Sequence, residues 1–202
     1  MITLFQNFVE ILPFFFWVAL WGLGGIWLVR GVFNLHPREQ TITGITIGLA
    51  IQTLLANMIS WIAPAPLSFW LAASIVFTAG LILGYKKGPT TLLQIPIFPS
   101  QLAMLFLLTY LFTGIGRGLA ILDDFAHLPT LSLLATGEIP PRFALDPSIP
   151  YGYHYFLMLF GAQVMRIADV FPWTAMDIAR GISFGLSVTL ASIWSQRLTR
   201  SL

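Results

Sequence analysis

The chain has 202 residues, of which 57% are hydrophobic and only 9% are charged. A soluble domain carries about 25% charged residues, so this composition excludes a water-soluble globule of this size. The net charge of +2 gives no basis for nucleic-acid binding, and the absence of cysteine excludes disulfides and thiolate metal sites.

Six hydrophobic segments follow one another and are long enough to be interpreted as membrane helices. Their predicted bounds are 11–29, 41–62, 68–85, 100–116, 152–170 and 178–196. No Lys or Arg precedes the first segment, which predicts a retained membrane helix rather than a cleaved signal peptide. The sequence therefore predicts an all-α polytopic membrane protein with about six transmembrane helices. Its single domain, 1–202, would contain three N-terminal helices within 1–99 and the remaining helices within 100–196.

Basic residues predict the orientation, because Lys and Arg concentrate in cytoplasmic loops. Four of them follow the first and third helices: Arg30, Arg38, Lys86 and Lys87. We therefore expect a multi-pass protein of the cell membrane, with the N-terminus and the long loop 117–151 outside. A second cytoplasmic cluster is expected after the fifth helix, from Arg166, Asp169, Asp177 and Arg180. With six crossings Arg197 and Arg200 would lie outside, against the rule.

The loop 117–151 contains the residues with the clearest chemical interest. It holds four of the eight acidic residues of the chain, including the adjacent pair Asp123 and Asp124. His127 follows four and three positions later, so on a helix it shares a face with these carboxylates. Either carboxylate can orient the imidazole, or the three side chains can share one ion.

A short amphipathic helix is predicted at about 124–136, ending near Gly137. Its apolar stripe would consist of Phe125, Leu128, Leu131, Leu134 and Ala135. Glycine is common directly after a helix end, and the proline-rich stretch 139–150 cannot continue a helix. A helix of this kind would lie in the plane of the membrane surface.

The order of these motifs resembles a known family. The Asp-Asp pair near a helix end, the histidine after it, then "LATGEIPPR" and "YGYHYF" are similar to the outer loop of GT-C glycosyltransferases. Among these, the proteins related to dolichyl-phosphate-mannose protein mannosyltransferases are the nearest in pattern. The similarity covers about 100–185. Family members usually have nine or more membrane helices, and their loop commonly follows the first helix rather than the fourth. A shifted start, a subfamily with extra N-terminal helices or a truncated reading frame would each explain these differences. The resemblance is to the N-terminal membrane portion of such a protein.

The resemblance implies a membrane glycosyltransferase that uses a polyprenyl-phosphate sugar donor, with Asp124 or Asp123 as the catalytic base. A carboxylate can take the proton of an acceptor hydroxyl, and His127 would orient it or help to hold a metal. A cation stabilises the leaving phosphate, so the predicted substrate-binding residues are Arg117, Arg142, Tyr153 and His154. A divalent cation bridging carboxylate and phosphate would act electrostatically, but these ligands do not specify a metal.

Other interpretations fit the same residues. The Asp pair can be a solvated helix end, and the two histidines can be structural groups of the membrane surface. The chain could then be a non-catalytic subunit bound to further membrane subunits. A transporter fits less well, because the hydrophobic segments carry no central charge. Gln52 and Asn57, within the second segment, predict interhelical hydrogen bonds.

Overall fold

A computed structural model describes residues 2–118, 124–143, 145–151 and 154–200 of the chain. Within these ranges, side chains are described except at 2–10, 124–125, 150 and 200. The protein is about 80% helical, which confirms the predicted all-α class. Its elements in chain order are α1 (Ile2–Val32), α2 (Pro37–Ile59), α3 (Leu67–Lys87), α4 (Pro89–Leu93), α5 (Pro99–Gly118), α6 (Asp124–Thr136), β1 (Arg142–Phe143), β2 (Asp146–Pro150), α7 (Phe156–Ala168) and α8 (Pro172–Arg200).

Five of these helices are long and apolar enough to cross a membrane. They are Ile11–Val32 of α1, Pro37–Ile59, Leu67–Lys87, Pro99–Gly118 and Pro172–Thr199 of α8. The sixth apolar helix is α7, which corresponds to the predicted segment 152–170 and has 13 residues. At 1.5 Å per residue α7 is about 20 Å long, well short of the roughly 30 Å hydrocarbon layer. The protein is thus a polytopic helical membrane protein in which one apolar helix, α7, is too short to span the hydrocarbon layer.

Local sequence signals determine where several helices begin. Pro37 occupies the first turn of α2, where its missing N–H removes no helical hydrogen bond. His36 caps this helix: its side chain accepts the backbone N–H of Arg38 at 3.3 Å, and Glu39 accepts the N–H of His36 at 3.1 Å. This reciprocal arrangement is a capping box, with histidine in the position that serine or threonine usually occupies.

Glycines allow α1 to approach α2 and α3 closely. A Cβ atom at Gly25 would overlap the carbonyl oxygen of Gly44, and a Cβ atom at Gly80 would overlap that of Gly24. Such backbone-to-backbone packing is typical of membrane helices, where small residues let helices approach. Gly22 differs, because a Cβ there would meet nothing within 4 Å. The glycine run in the first helix therefore serves close packing at two of its three positions.

Helix α7 is held by both apolar and polar contacts to the N-terminal helices. The ring of Phe160 stacks on Trp17 with 6.1 Å between centroids. The side chain of Gln163 accepts a hydrogen bond from Gln52 at 2.6 Å, and both residues are fully buried. These contacts confirm the interhelical role predicted for Gln52, and they hold the short helix against α1 and α2.

Helices α5 and α8 pack antiparallel along their length. A Cβ atom at Gly185 would lie 2.7 Å from Oγ1 of Thr109. Nearer the end of α5, Arg117 lies beside the beginning of α8. At the other end of α8, Arg197 forms a salt bridge of 3.0 Å with Glu39 at the start of α2. The prediction that places Arg197 across the membrane from Arg38 is therefore wrong, because α7 does not add the crossing on which it depends.

The described charges separate into two ends of the bundle. We call "basic end" the end that carries Arg30, Arg38, Lys86, Lys87 and Arg197, with Glu39 as the acidic residue described there. We call "loop end" the opposite end, which carries α6 and the hairpin formed by the antiparallel strands β1 and β2. It holds Arg117, Arg142, Arg166 and Arg180, with Glu138, Asp146, Asp169 and Asp177. Only the basic end has an excess of positive charge among the described residues.

The buried amide pair allows a test of how α7 is held. We expect Gln52→Leu to destabilise the protein, because it leaves the Gln163 oxygen buried without its donor. In the double variant Gln52→Leu/Gln163→Leu, much of the lost free energy of unfolding should be recovered. The coupling energy between the two residues should be about 1 kcal/mol, in the range measured for membrane helices. Unfolding free energies of the four proteins in a detergent titration would measure it. Strictly additive losses in the double variant would show that the two amides do not interact.

Candidate functional site

Helix α6 ends as the sequence predicts. The N–H of Gly137 donates to the carbonyl of Leu134 at 3.1 Å, and the N–H of Glu138 donates to that of Leu133 at 3.2 Å. Gly137 has φ of 102°, a left-handed conformation that favours glycine. This pair of bonds is the Schellman motif. The predicted helix 124–136 and its end at Gly137 are confirmed.

The apolar stripe of α6 packs on protein. Leu131 and Leu134 are fully buried, and a Cβ atom at Gly161 of α7 would lie 2.5 Å from a terminal carbon of Leu131. Helix α6 therefore lies on α7, which in turn lies on α1 and α2. This stack fixes the position of the described start of α6, where Asp124 and His127 are found.

The predicted catalytic residues are described in part. Asp124 is the first described residue of α6, and half-buried His127 follows three positions later on the same helix, so their predicted neighbourhood is retained along the backbone. Asp123 and Tyr153 lie outside the described residues, as does the side chain of Asp124.

Arg117, at the end of α5, has partners that were not foreseen. Its guanidinium lies 3.5 Å from a carboxylate oxygen of Asp177 and 3.5 Å from Oγ1 of Thr174. Asp177 is buried, whereas 59% of the Arg117 side chain is exposed. A Cβ atom at Gly116 would lie 3.0 Å from the Asp177 carboxylate, so this glycine leaves room for it. One side of the guanidinium is thus fixed, and the other side remains accessible.

The predicted placement of Asp177, with the rest of the cluster at 166–180, across the membrane from the loop 117–151 is wrong. The salt bridge places this carboxylate at the loop end, beside Arg117. Arg180 is buried one turn further along α8. Asp177 and Thr174 were not predicted as partners of Arg117, because 152–170 was counted as a full membrane crossing. That count puts the start of α8 on the opposite side of the membrane from Arg117. Arg166 and Asp169 at the end of that segment were the available signal that the apolar stretch is short.

A cavity of about 520 Å³ lies between α5 and α8 next to this salt bridge. We call it the lateral groove. It is lined by Tyr110, Leu111, Thr113, Gly114, Ile115, Arg117, Thr174 and Asp177. Its wall along α5 is mostly apolar, and its polar groups are gathered at the loop end. Gly116 is the one buried residue of α5, so most of the surface of this helix is not covered by the chain and the groove is open sideways.

Arg142 lies at a different cavity. It donates to the carbonyl of Pro147 at 3.1 Å across the β1–β2 hairpin. Together with Trp61 and Glu138 it lines a cavity of about 510 Å³ beside the α2–α3 turn. The hairpin is further held by Asp146, whose carboxylate accepts the hydroxyl and N–H of Ser148, and these bonds lower the pKa of that carboxyl. The lining of the lateral groove does not include Arg142.

The entrance to α7 carries the other predicted substrate-binding group. His154 is exposed just before α7. The hydroxyl of its neighbour Tyr155 donates to Asn57 of α2 at 2.7 Å, which confirms an interhelical role for this asparagine. Partial burial raises the pKa of Tyr155. His154 is thus placed on the loop end by a tyrosine that is bonded to the bundle.

Among the described residues, no three His, Asp or Glu side chains are grouped so that they could hold a metal ion. The carboxylates of Asp123 and Asp124 are outside the described side chains, so this statement does not cover them. No family model, no curated protein and no solved structure matches the chain. Function is therefore inferred from the chemistry of the residues themselves.

Proposed function

We propose that the chain is a membrane glycosyltransferase, or the N-terminal membrane part of one. It transfers a sugar from a polyprenyl-phosphate donor to an acceptor hydroxyl outside the cell. The observation that carries the proposal is the lateral groove, which combines an apolar wall open to lipid with a partly exposed guanidinium at its loop end. A lipid phosphate has the same division between an apolar tail and an anionic head.

In this proposal Arg117 binds the donor phosphate. Its contacts with Asp177 and Thr174 orient the guanidinium, and its exposed side is free to form charge-assisted bonds with phosphate oxygens. The first isoprene units lie along Tyr110, Leu111 and Ile115. The sugar then projects toward the start of α6, which follows α5 in the chain.

Asp124 acts as the general base, with Asp123 as the alternative. The carboxylate takes the proton of the acceptor hydroxyl, whose oxygen attacks the anomeric carbon of the sugar. The bond from that carbon to the phosphate oxygen breaks, and the polyprenyl phosphate leaves with the electron pair. His127, one turn later, orients the carboxylate.

Donor binding can be tested without turnover. We expect Arg117→Gln to weaken the binding of a polyprenyl-phosphate sugar to the full protein in nanodiscs by roughly tenfold, which corresponds to one charge-assisted hydrogen bond. The matched control is Arg166→Gln, which removes the same charge from an exposed site at the loop end outside the groove. Equal affinity for wild type and Arg117→Gln would contradict the proposed donor site, and the subunit interpretation would then lead.

The proposed reaction requires the loop end to face outward. The excess of Lys and Arg at the basic end supports a cytoplasmic position for that end by the positive-inside rule. Because the chain has no cysteine, single cysteines can be introduced without background. We expect an impermeant thiol reagent on intact cells to label Thr136→Cys at the loop end but not Thr90→Cys at the basic end; both positions are exposed. The opposite labelling would reverse the orientation.

A further inference from the structure

A second cavity, of about 310 Å³, lies at the basic end, far from the groove used above. It is formed where α2 and α5 begin and where α8 ends. Its lining consists of His36, Arg38, Glu39, Gln101, Ile193, Gln196 and Arg197. We call it the basic-end cavity. None of its residues takes part in the proposed reaction.

The charges around the basic-end cavity do not cancel. Glu39 forms a salt bridge of 3.0 Å with Arg197, which balances one of the two guanidinium groups. Arg38 has no acidic partner among the described residues. Its guanidinium is held over the ring of Phe98, 5.8 Å from the centroid. The cavity therefore presents one uncompensated and oriented positive charge.

Gln101 adds a second constraint on what the basic-end cavity can bind. Its Nε2 donates to the carbonyl of Arg38 at 2.9 Å, which fixes the orientation of the amide. Its Oε1 is then buried without a hydrogen-bond partner. A buried acceptor without a donor is costly, so this atom favours a ligand or solvent group that carries a hydroxyl or N–H. Arg38 and Gln101 together suit an anion that also bears a hydroxyl group.

The position of the cavity indicates the source of such an anion. The membrane-spanning helices α2 and α5 begin here at Pro37 and Pro99, so the cavity lies at the level of the lipid headgroups. The adjoining α5 is exposed along its length, so a lipid can enter from the side. Basic pockets between transmembrane helices are suited to anionic lipid headgroups.

We propose that the basic-end cavity binds an anionic phospholipid with a hydroxylated headgroup, of which phosphatidylglycerol is the simplest. Arg38 binds the phosphate, and a glycerol hydroxyl donates to Oε1 of Gln101. This lipid is distinct from the sugar donor and belongs to the opposite leaflet, so the site stands whether or not the proposed reaction does.

Lipid binding to the full protein in a neutral detergent tests this site. Titration with phosphatidylglycerol is compared with phosphatidylcholine, phosphatidic acid and soluble glycerol 1-phosphate, using native mass spectrometry to count bound lipids. We expect Arg38→Gln to weaken phosphatidylglycerol binding about fivefold, since one basic residue near an anionic surface has an effect of that size. Lys86→Gln, which removes an exposed charge of the same end outside the cavity, should bind as wild type does.

The contact proposed for Gln101 is tested by comparing the affinities of the two anionic lipids. Gln101→Leu should weaken phosphatidylglycerol more than phosphatidic acid, because only the former has the glycerol hydroxyls. An equal loss for both lipids would overturn the hydroxyl contact. Equal losses in Arg38→Gln and Lys86→Gln would show attraction to the whole basic end and overturn the site. Equal affinity for soluble glycerol 1-phosphate would overturn the assignment to a lipid.

Discussion

Replacing Asp124 by Asn is expected to lower sugar transfer by about 10²- to 10⁴-fold while donor binding stays near that of the wild type. General base catalysis contributes a factor of this size, and an amide cannot accept the proton of the acceptor hydroxyl. The asparagine side chain has the same size as that of aspartate, so α6 should still form. The measurement is single-turnover transfer from a labelled polyprenyl-phosphate sugar by the complete natural protein.

Two further variants make this result specific. Asp123→Asn examines the alternative base, and only one of the two carboxylates is expected to have the large effect. Asp146→Asn is the control, since this exposed carboxylate of the same loop bonds to Ser148 within the hairpin. Unchanged transfer in both Asp123→Asn and Asp124→Asn would refute the catalytic proposal. A similar loss in Asp146→Asn would point to the conformation of the loop rather than to a base.

A single methyl group at Gly25 is expected to disrupt the N-terminal bundle. The new Cβ of Gly25→Ala would overlap backbone atoms of Gly44 and Gly48, which no side-chain rotation can relieve, so α1 and α2 must separate. Overpacking in a core costs about 1–3 kcal/mol, and a backbone clash lies at the upper end of that range. The measurement is the unfolding free energy in a detergent titration followed by tryptophan fluorescence.

Gly22→Ala is the matched control, three positions earlier on the same helix. A Cβ there meets nothing within 4 Å, and alanine favours a helix over glycine by about 1 kcal/mol. We therefore expect Gly22→Ala to be neutral or slightly stabilising. If Gly25→Ala were as stable as Gly22→Ala, the close approach of α1 to α2 would be wrong.

The helices of the fold were predictable from local properties of the sequence. Hydrophobic length identifies the spans, because lipid requires about 20 apolar residues for a crossing. The end of α6 was predictable because Gly137 and the prolines after it act within one turn of the chain. The Asp124–His127 neighbourhood depends on the same short-range geometry, so it too could be inferred from spacing.

The salt bridge of Arg117 could not be inferred in this way. Its partner Asp177 is 60 positions away, and whether they meet depends on whether 152–170 crosses the membrane. Hydropathy counts that segment as one span, yet Tyr155 precedes α7 and Asp169, in a left-handed conformation, caps its end. One miscounted crossing reverses the predicted direction of α8 through the membrane. Asp177 and Arg197 are then each predicted at the wrong end of the bundle. A predicted contact between residues far apart in the sequence is therefore correct only if every membrane crossing between them is counted correctly.

The short length of α7 has a consequence for how the protein is made. A predominantly apolar helix of 13 residues is too short to be inserted across the bilayer as an independent helix. Its partners Trp17 and Gln52 are synthesised earlier, so they are already in the membrane when α7 leaves the ribosome. Assembly thus begins with independently stable helices and ends with α7 entering a preformed cleft, a late step in biogenesis at which Gln52 acquires its partner.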